Sequence, residues 1–201
     1  MTFTRLSLDL HHPPLDGFLS AVDRSMNSNT LLLGAVADVP VGPENQEVVF
    51  RAFLQSEAYA EALLDADRRR GWCNLSHECE EVAFERPLLR EGFLATVTRL
   101  GHREFLARLR WMLCEAYSPY DKHYAEPEAG KLVSDFADEL LDGGGSGWTF
   151  ASVEPDFLRS TGYFSGEAPL PPVYFDGGDS DTATFFHRDR ICYLLLTNGS
   201  P

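Results

Sequence analysis

Apolar positions recur with a helical period in five stretches of the chain. Each has large side chains spaced three or four residues apart, the pattern of a helix with one buried face. Pro13 and Pro43 stand where a first helical turn would begin, and Gly101 stands where the third stretch would end. We predict helices over residues 13–26, 43–70, 87–100, 105–116 and 127–140.

Other segments favour strands. Residues 6–10 alternate apolar and polar positions, and residues 31–36 form a short apolar run compatible with a buried strand or a helix piece. Near the C-terminus, residues 182–187 and 190–197 are β-rich and are separated by Arg188 and Asp189, which predicts an antiparallel hairpin. The density of large apolar side chains over residues 193–196 predicts that the last strand is buried.

These elements predict an α+β fold: a helical body of four to five helices, followed by a small C-terminal antiparallel β-sheet packed on it. Hydrophobic residues make up 44% of the 201 positions, which is enough for a real core. Residues 1–142 would form the mainly helical body, with possible N-terminal strands. The glycine-rich run 143–147 would be a joint, and residues 148–201 the β-rich part of the same domain.

The charge is strongly negative and unevenly distributed. Seventeen Lys and Arg oppose 31 Asp and Glu, for a formal charge of −14. The last 81 residues carry five basic and 14 acidic side chains, and so hold most of the excess. Such a surface repels phosphate backbones and anionic lipids, so we expect neither nucleic-acid nor membrane binding. It suits a basic protein partner, although acidic charge also serves solubility alone.

The sequence indicates a cytoplasmic protein of bacterial origin. The N-terminus lacks the apolar stretch of a signal peptide, and no apolar run approaches the length of a membrane helix. With no export signal, the four cysteines are expected to be reduced thiols. Only Lys122 and Lys131 are lysines, and Ile191 is the only isoleucine. That bias is typical of a G+C-rich bacterial genome.

Two segments carry possible metal ligands. Cys73, His77 and Cys79 lie within seven residues, but a structural zinc needs four ligands and the fourth is missing locally. Asp176, Asp179 and Asp181 lie within six residues, without the spacing or distal Glu of an EF-hand loop. We therefore expect no bound metal and no other cofactor, with Cys73, His77 and Cys79 as the weak zinc candidates.

No segment matches a catalytic motif. The chain lacks a G-x-S-x-G elbow, and its cysteines carry none of the local signatures of cysteine proteases. The run 143–147 lacks the G-K-[ST] ending of a phosphate-binding loop. An enzyme would need a site assembled only in the fold, and we predict no catalytic residue.

The C-terminal third is rich in rings interleaved with carboxylates. Most of the rings are expected in the core. Those outside it would suit recognition of a basic protein, because rings anchor an interface and carboxylates steer the encounter. We predict that partner-binding residues are Tyr163, Tyr174, Asp176, Asp179 and Asp181.

The whole profile resembles that of bacterial immunity proteins of toxin–immunity pairs, which are small, acidic, cytoplasmic and poor in motifs. The resemblance is one of kind and carries over no residue. It implies a non-enzymatic inhibitor that occludes a basic toxin or effector. The alternatives are a hydrolase-like enzyme with a site assembled in the fold, and an adaptor or scaffold protein. The sequence does not indicate an oligomeric state.

Overall fold

A computed structural model of the chain describes residues 1–70, 96–116, 122–154 and 180–199. Within these ranges the helices are α1 (Pro13–Met26), α2 (Gln46–Leu54), α3 (Glu57–Arg70), α4 (His102–Cys114) and α5 (Glu126–Leu140). The strands are β1 (Phe3–Leu6), β2 (Ser28–Ala37), β3 (Thr96–Leu100), β4 (Thr149–Glu154), β5 (Ser180–Arg188) and β6 (Ile191–Gly199).

The strands form one antiparallel sheet in the order β1-β2-β6-β5-β4-β3. Residues 28–36 of β2 pair with residues 191–199 of β6 over nine positions. A strand from the N-terminal part of the chain therefore lies beside the C-terminal strand at the centre of the sheet. The predicted helical body followed by a small C-terminal sheet is therefore wrong. The first two strands precede four of the helices, and they belong to the same sheet as the hairpin.

Helices cover both faces of this sheet. Phe185 and Phe186 are neighbours on β5, so their side chains point to opposite faces. The ring of Phe185 lies 5.2 Å from that of Phe50 on α2, and the ring of Phe186 lies 5.3 Å from that of Phe105 on α4. Both phenylalanines are fully buried. A strand that is covered on both faces has apolar residues at consecutive positions. This explains why apolar and polar residues do not alternate over residues 31–36.

Helix α5 lies outside these layers. It packs against α1 and α4, with the rings of Phe18 and Phe136 4.3 Å apart, and within the described ranges it has no comparable packing against any strand. Its apolar stripe, Ala129, Val133, Phe136 and Leu140, is buried. The opposite side of α5 is therefore the outermost surface on that side of the sheet.

Several helix boundaries follow from local chemistry. Pro13 and Pro14 occupy the first positions of α1, and Asn27 ends it in the left-handed conformation at φ 49°. At the start of α4, the Glu104 carboxylate accepts a hydrogen bond from the Gly101 backbone N–H at 2.6 Å. The predicted helices 13–26, 105–116 and 127–140 correspond to α1, α4 and α5.

The remaining helix predictions need correction. Residues 43–70 form two helices, because Ser56 begins a new one: its hydroxyl accepts the Tyr59 backbone N–H at 3.1 Å. Residues 96–100, predicted as the end of a helix, form strand β3, and residues 87–95 lie outside the described ranges. The first strand is Phe3–Leu6 where residues 6–10 were predicted.

The hairpin prediction is confirmed, with its turn one residue later than expected. β5 ends at Arg188 and β6 begins at Ile191, so the turn is Asp189-Arg190, with Asp189 at φ 51°. Residues 193–196 are buried as predicted. No helix in the described part of the chain is long and apolar enough to span a membrane.

Candidate functional site: the outer face of helix α5

Most predicted partner-binding residues lie outside the described ranges. These are Tyr163, Tyr174, Asp176 and Asp179. Asp181 lies in β5, where it pairs with Asn198 near one end of the sheet. The acidic segment before the hairpin therefore leads directly into a central strand. Its role in binding stays a prediction.

The weak zinc candidates Cys73, His77 and Cys79 also lie outside the described ranges. Among the residues that the structure does describe, no group of three or more His, Cys, Asp or Glu side chains is arranged to hold a metal ion. The expectation of a metal-free protein stays a prediction.

The two described cysteines are free thiols in environments that disfavour the thiolate. Burial raises the pKa of Cys192 to about 12. Burial also raises the pKa of Cys114, and the charge of Glu126 adds to the effect. Because the thiolate is the nucleophile, neither side chain is activated for covalent catalysis.

His187 is a buried histidine on the face of the sheet that α2 covers. It pairs with Cys192 across β5 and β6, is 1% exposed, and its Nε2 has no hydrogen-bond partner among the described residues. The segment after β2 covers it and is held to the hairpin turn by the Val41 N–H, which donates to the Asp189 carbonyl at 2.7 Å. Burial lowers the pKa of His187, against opposing effects of a hydrogen bond with the Val41 backbone and the charge of Glu44.

The lowered pKa of His187 predicts that the folded protein loses stability in mild acid. The unfolded imidazole gains a proton near pH 6.5, whereas the folded one gains it only at lower pH, so the unfolded state binds more protons between these values. The free energy of unfolding should be highest above pH 6.5 and fall as the pH drops below it, by at most about 1.4 kcal/mol per pH unit from this group.

Urea titrations at a series of pH values from 7.5 to about 5 would measure the effect, since the unfolded imidazole takes up its proton near pH 6.5, within that window. His187→Leu should flatten the decline relative to the wild type. The other histidines are present in both proteins, so the difference isolates His187. Identical pH slopes for the two proteins would contradict this account.

The strongest charge feature of the described residues is the segment containing α5. Residues 122–142 hold six carboxylates and two lysines. The carboxylates are Glu126, Glu128, Asp135, Asp138, Glu139 and Asp142. Because the apolar stripe faces α1 and α4, these side chains are directed away from the core. Side-chain exposure reaches 68% at Glu126 and 69% at Asp142.

These carboxylates make surface contacts with local partners. Lys122 Nζ lies 3.1 Å from Glu128, and Lys131 pairs with Asp135 within the helix. The imidazole of His12 lies 3.7 Å from Glu139. Exposed pairs of this kind contribute about 0–1 kcal/mol, so a partner's cation can replace them at little cost. The face is thus a shallow acidic surface held on a well-packed helix.

The neighbouring helix has the opposite charge. Residues 96–116, which contain β3 and α4, hold four arginines and two glutamates, and Arg99, Arg103 and Arg110 are exposed. Arg110 Nε lies 3.6 Å from Glu126 Oε2, at the boundary between α4 and α5. Charge on this side of the molecule is therefore divided into a basic helix and an acidic helix.

From the sequence, no partner-binding residue was predicted on this surface. The excess of acidic residues after position 120 was the signal that could have located this surface, since six of those 14 residues lie between 126 and 142. What the sequence could not supply was the position of α5 outside the other layers.

A scan against protein-family models and searches of curated proteins and of solved structures found no match. The interpretation of this surface therefore depends on its own geometry and charge.

Proposed function

We propose that this chain is a non-enzymatic, cytoplasmic binding protein that docks a basic protein through the outer face of α5. Specifically, we propose an immunity-type inhibitor that occludes a basic bacterial toxin or effector. The observation that supports this proposal is the concentration of six carboxylates, against two lysines, on and beside the outermost helix.

Electrostatic steering is the physical basis of the proposed mechanism. A fixed acidic face raises the local concentration of a cationic partner and can increase its association rate by a factor of about 10–10³. The total charge of −14 adds a long-range attraction with the same sign. Inhibition itself would be steric, because the bound protein covers the partner's active site.

The five partner-binding residues predicted from the sequence belong to the same proposal. Tyr163 and Tyr174 would anchor the interface, while Asp176, Asp179 and Asp181 would extend its negative potential.

The test requires a basic partner, and the genes beside that of this chain are to be searched for a reading frame that encodes a basic toxin domain. The triple variant Glu128→Gln, Asp135→Asn and Glu139→Gln removes three charges from α5 without changing its apolar stripe. We expect the association rate to fall about tenfold at low salt and the dissociation rate to change much less. Stopped-flow measurements at several salt concentrations give both rates.

The matched control removes three carboxylates from α2 and α3, which cover the opposite side of the sheet: Glu47→Gln, Glu57→Gln and Glu61→Gln. It has the same net charge, so it separates a local surface from overall charge. Equal slowing in both triple variants would refute docking at α5. A titration of toxin activity should reach its end point near one-to-one, and full neutralisation by a small fraction of an equivalent would instead indicate an enzyme.

A further inference from the structure

A groove of about 210 Å³ lies between α4 and α5, beside the proposed docking surface. It is open to solvent on one side and closed at one end by the glycine loop that follows α5. Residues of α4 and α5 form its two walls, and Gly144 and Gly145 lie at its end. The volume equals that of about seven liquid water molecules, enough for an organic molecule of about ten heavy atoms.

Missing side chains keep the groove open. A Cβ placed on Gly130, in the middle of α5, would meet no atom within 4 Å, and the same holds for Gly144. At Gly145 a Cβ would lie 2.6 Å from the His102 ring, so that glycine allows the imidazole to pack against the loop. The ring is also stacked on Phe150, with centroids 5.4 Å apart. His102 is thus a positioned side chain at the groove's end.

The two walls differ in chemistry. The α4 wall presents nitrogen groups, the Arg110 guanidinium and the His102 imidazole, whereas the α5 wall presents the Asp138 carboxylate and the Ser134 hydroxyl. Ser134 donates a hydrogen bond to Asp138 at 3.3 Å, which leaves the other carboxylate oxygen for a further donor. Between the walls the surface is aliphatic, formed by Leu106, Val133 and Ala137.

We propose that this groove binds a small zwitterion of amino-acid size. The carboxylate of the ligand faces Arg110 and His102, its ammonium group faces Asp138 and Ser134, and its apolar body covers the aliphatic surface between them. A ligand with only one charge would interact with only one of the two walls, so recognition requires both groups. Asp138 belongs to both the docking surface and the groove, but the triple variant that tests docking leaves it unchanged, because Glu128, Asp135 and Glu139 do not line the groove.

The test is a titration of the ¹⁵N-labelled protein followed by NMR, with three matched probes. L-Leucine carries both charges and an apolar body; 4-methylpentanoate lacks the amine, and 3-methylbutylamine lacks the carboxylate. We expect saturable shifts for leucine in residues 102–110 and 130–145, with a Kd on the order of 1 mM, as befits a small ligand in an open groove. Each single-charge probe should bind at least about tenfold more weakly.

Gly130→Leu fills the groove and improves the helix propensity of α5, so it should abolish the leucine shifts without destabilising the fold. Gly17→Ala is the control: this helical glycine lies outside the groove, and its Cβ would make only an ordinary 3.7 Å contact with Leu132. It should retain binding. No saturable shift with leucine, equal binding of all three probes, or binding retained in Gly130→Leu would each overturn the proposal.

Discussion

A chain that ends at Arg190 is expected not to fold. The deletion removes β6, whose residues 192–197 are all buried and which lies between β2 and β5. Burial of an apolar side chain contributes about 1.5–3 kcal/mol, so residues 193–196 together contribute about 6–12 kcal/mol. That is comparable to the roughly 5–15 kcal/mol by which a whole domain is stable. Circular dichroism and size-exclusion chromatography would show an unfolded or aggregated chain.

Removal of the edge strand is the matched control. A chain without residues 2–6 loses β1, which pairs on one side only and has no fully buried side chain. It also loses the ion pair between Arg5 and Asp65, 2.9 Å apart at the surface. This chain should still fold, with a lower melting temperature. If the chain ending at Arg190 instead gave a cooperative melting transition like that of the control, the central position of β6 would be wrong.

Sequence periodicity predicted the helices that have one covered face. In α1 and α5 an apolar stripe alternates with exposed polar positions, so the spacing of large side chains directly reflects the buried side. The hairpin was predictable for a different reason. Two β-rich segments separated by only two polar residues are the typical sequence pattern of an antiparallel hairpin.

The sheet was harder to predict because its central strands are covered on both faces. Burial on both sides removes the alternation that marks a strand, so residues 31–36 were compatible with either structure. For β3, apolar residues at 93, 97 and 100 have a helical spacing, while Thr96, Val97 and Thr98 are β-branched. Pairing with β4 decides in favour of the strand, which is a long-range contact that local periodicity does not contain.

The sequence contains a signal for the break between α2 and α3, but the helical spacing of apolar residues over 43–70 favoured a single helix. Ser56 followed by Glu57 is an N-terminal helix signal, and the Ser56 side chain indeed caps α3. The candidate site, too, was only partly predictable from the sequence. Its charge was evident from composition, but its position on an outer helix and the groove beside it depend on how α4 and α5 pack.

The two adjacent phenylalanines of β5 test the covering of both sheet faces. Phe186 packs among the rings of Phe105, Tyr193 and Trp148, at centroid distances of 5.3 Å, 5.3 Å and 6.1 Å. Phe185 faces the other side and packs against Phe50. In a sheet covered on one face only, one of the two neighbours would be exposed and its replacement nearly neutral.

Phe185→Ala and Phe186→Ala are therefore each expected to lower the free energy of unfolding by about 3–5 kcal/mol, because each leaves a cavity in a packed layer. Thr98→Ala, at an exposed position on the edge strand β3, is the control and should change it by no more than about 0.5 kcal/mol. Urea denaturation followed by tryptophan fluorescence measures all three variants. A large loss in the free energy of unfolding for one phenylalanine variant, with a loss near that of Thr98→Ala for the other, would show that helices cover only one face of the sheet. In that case either α2 or α4 would not pack on the sheet.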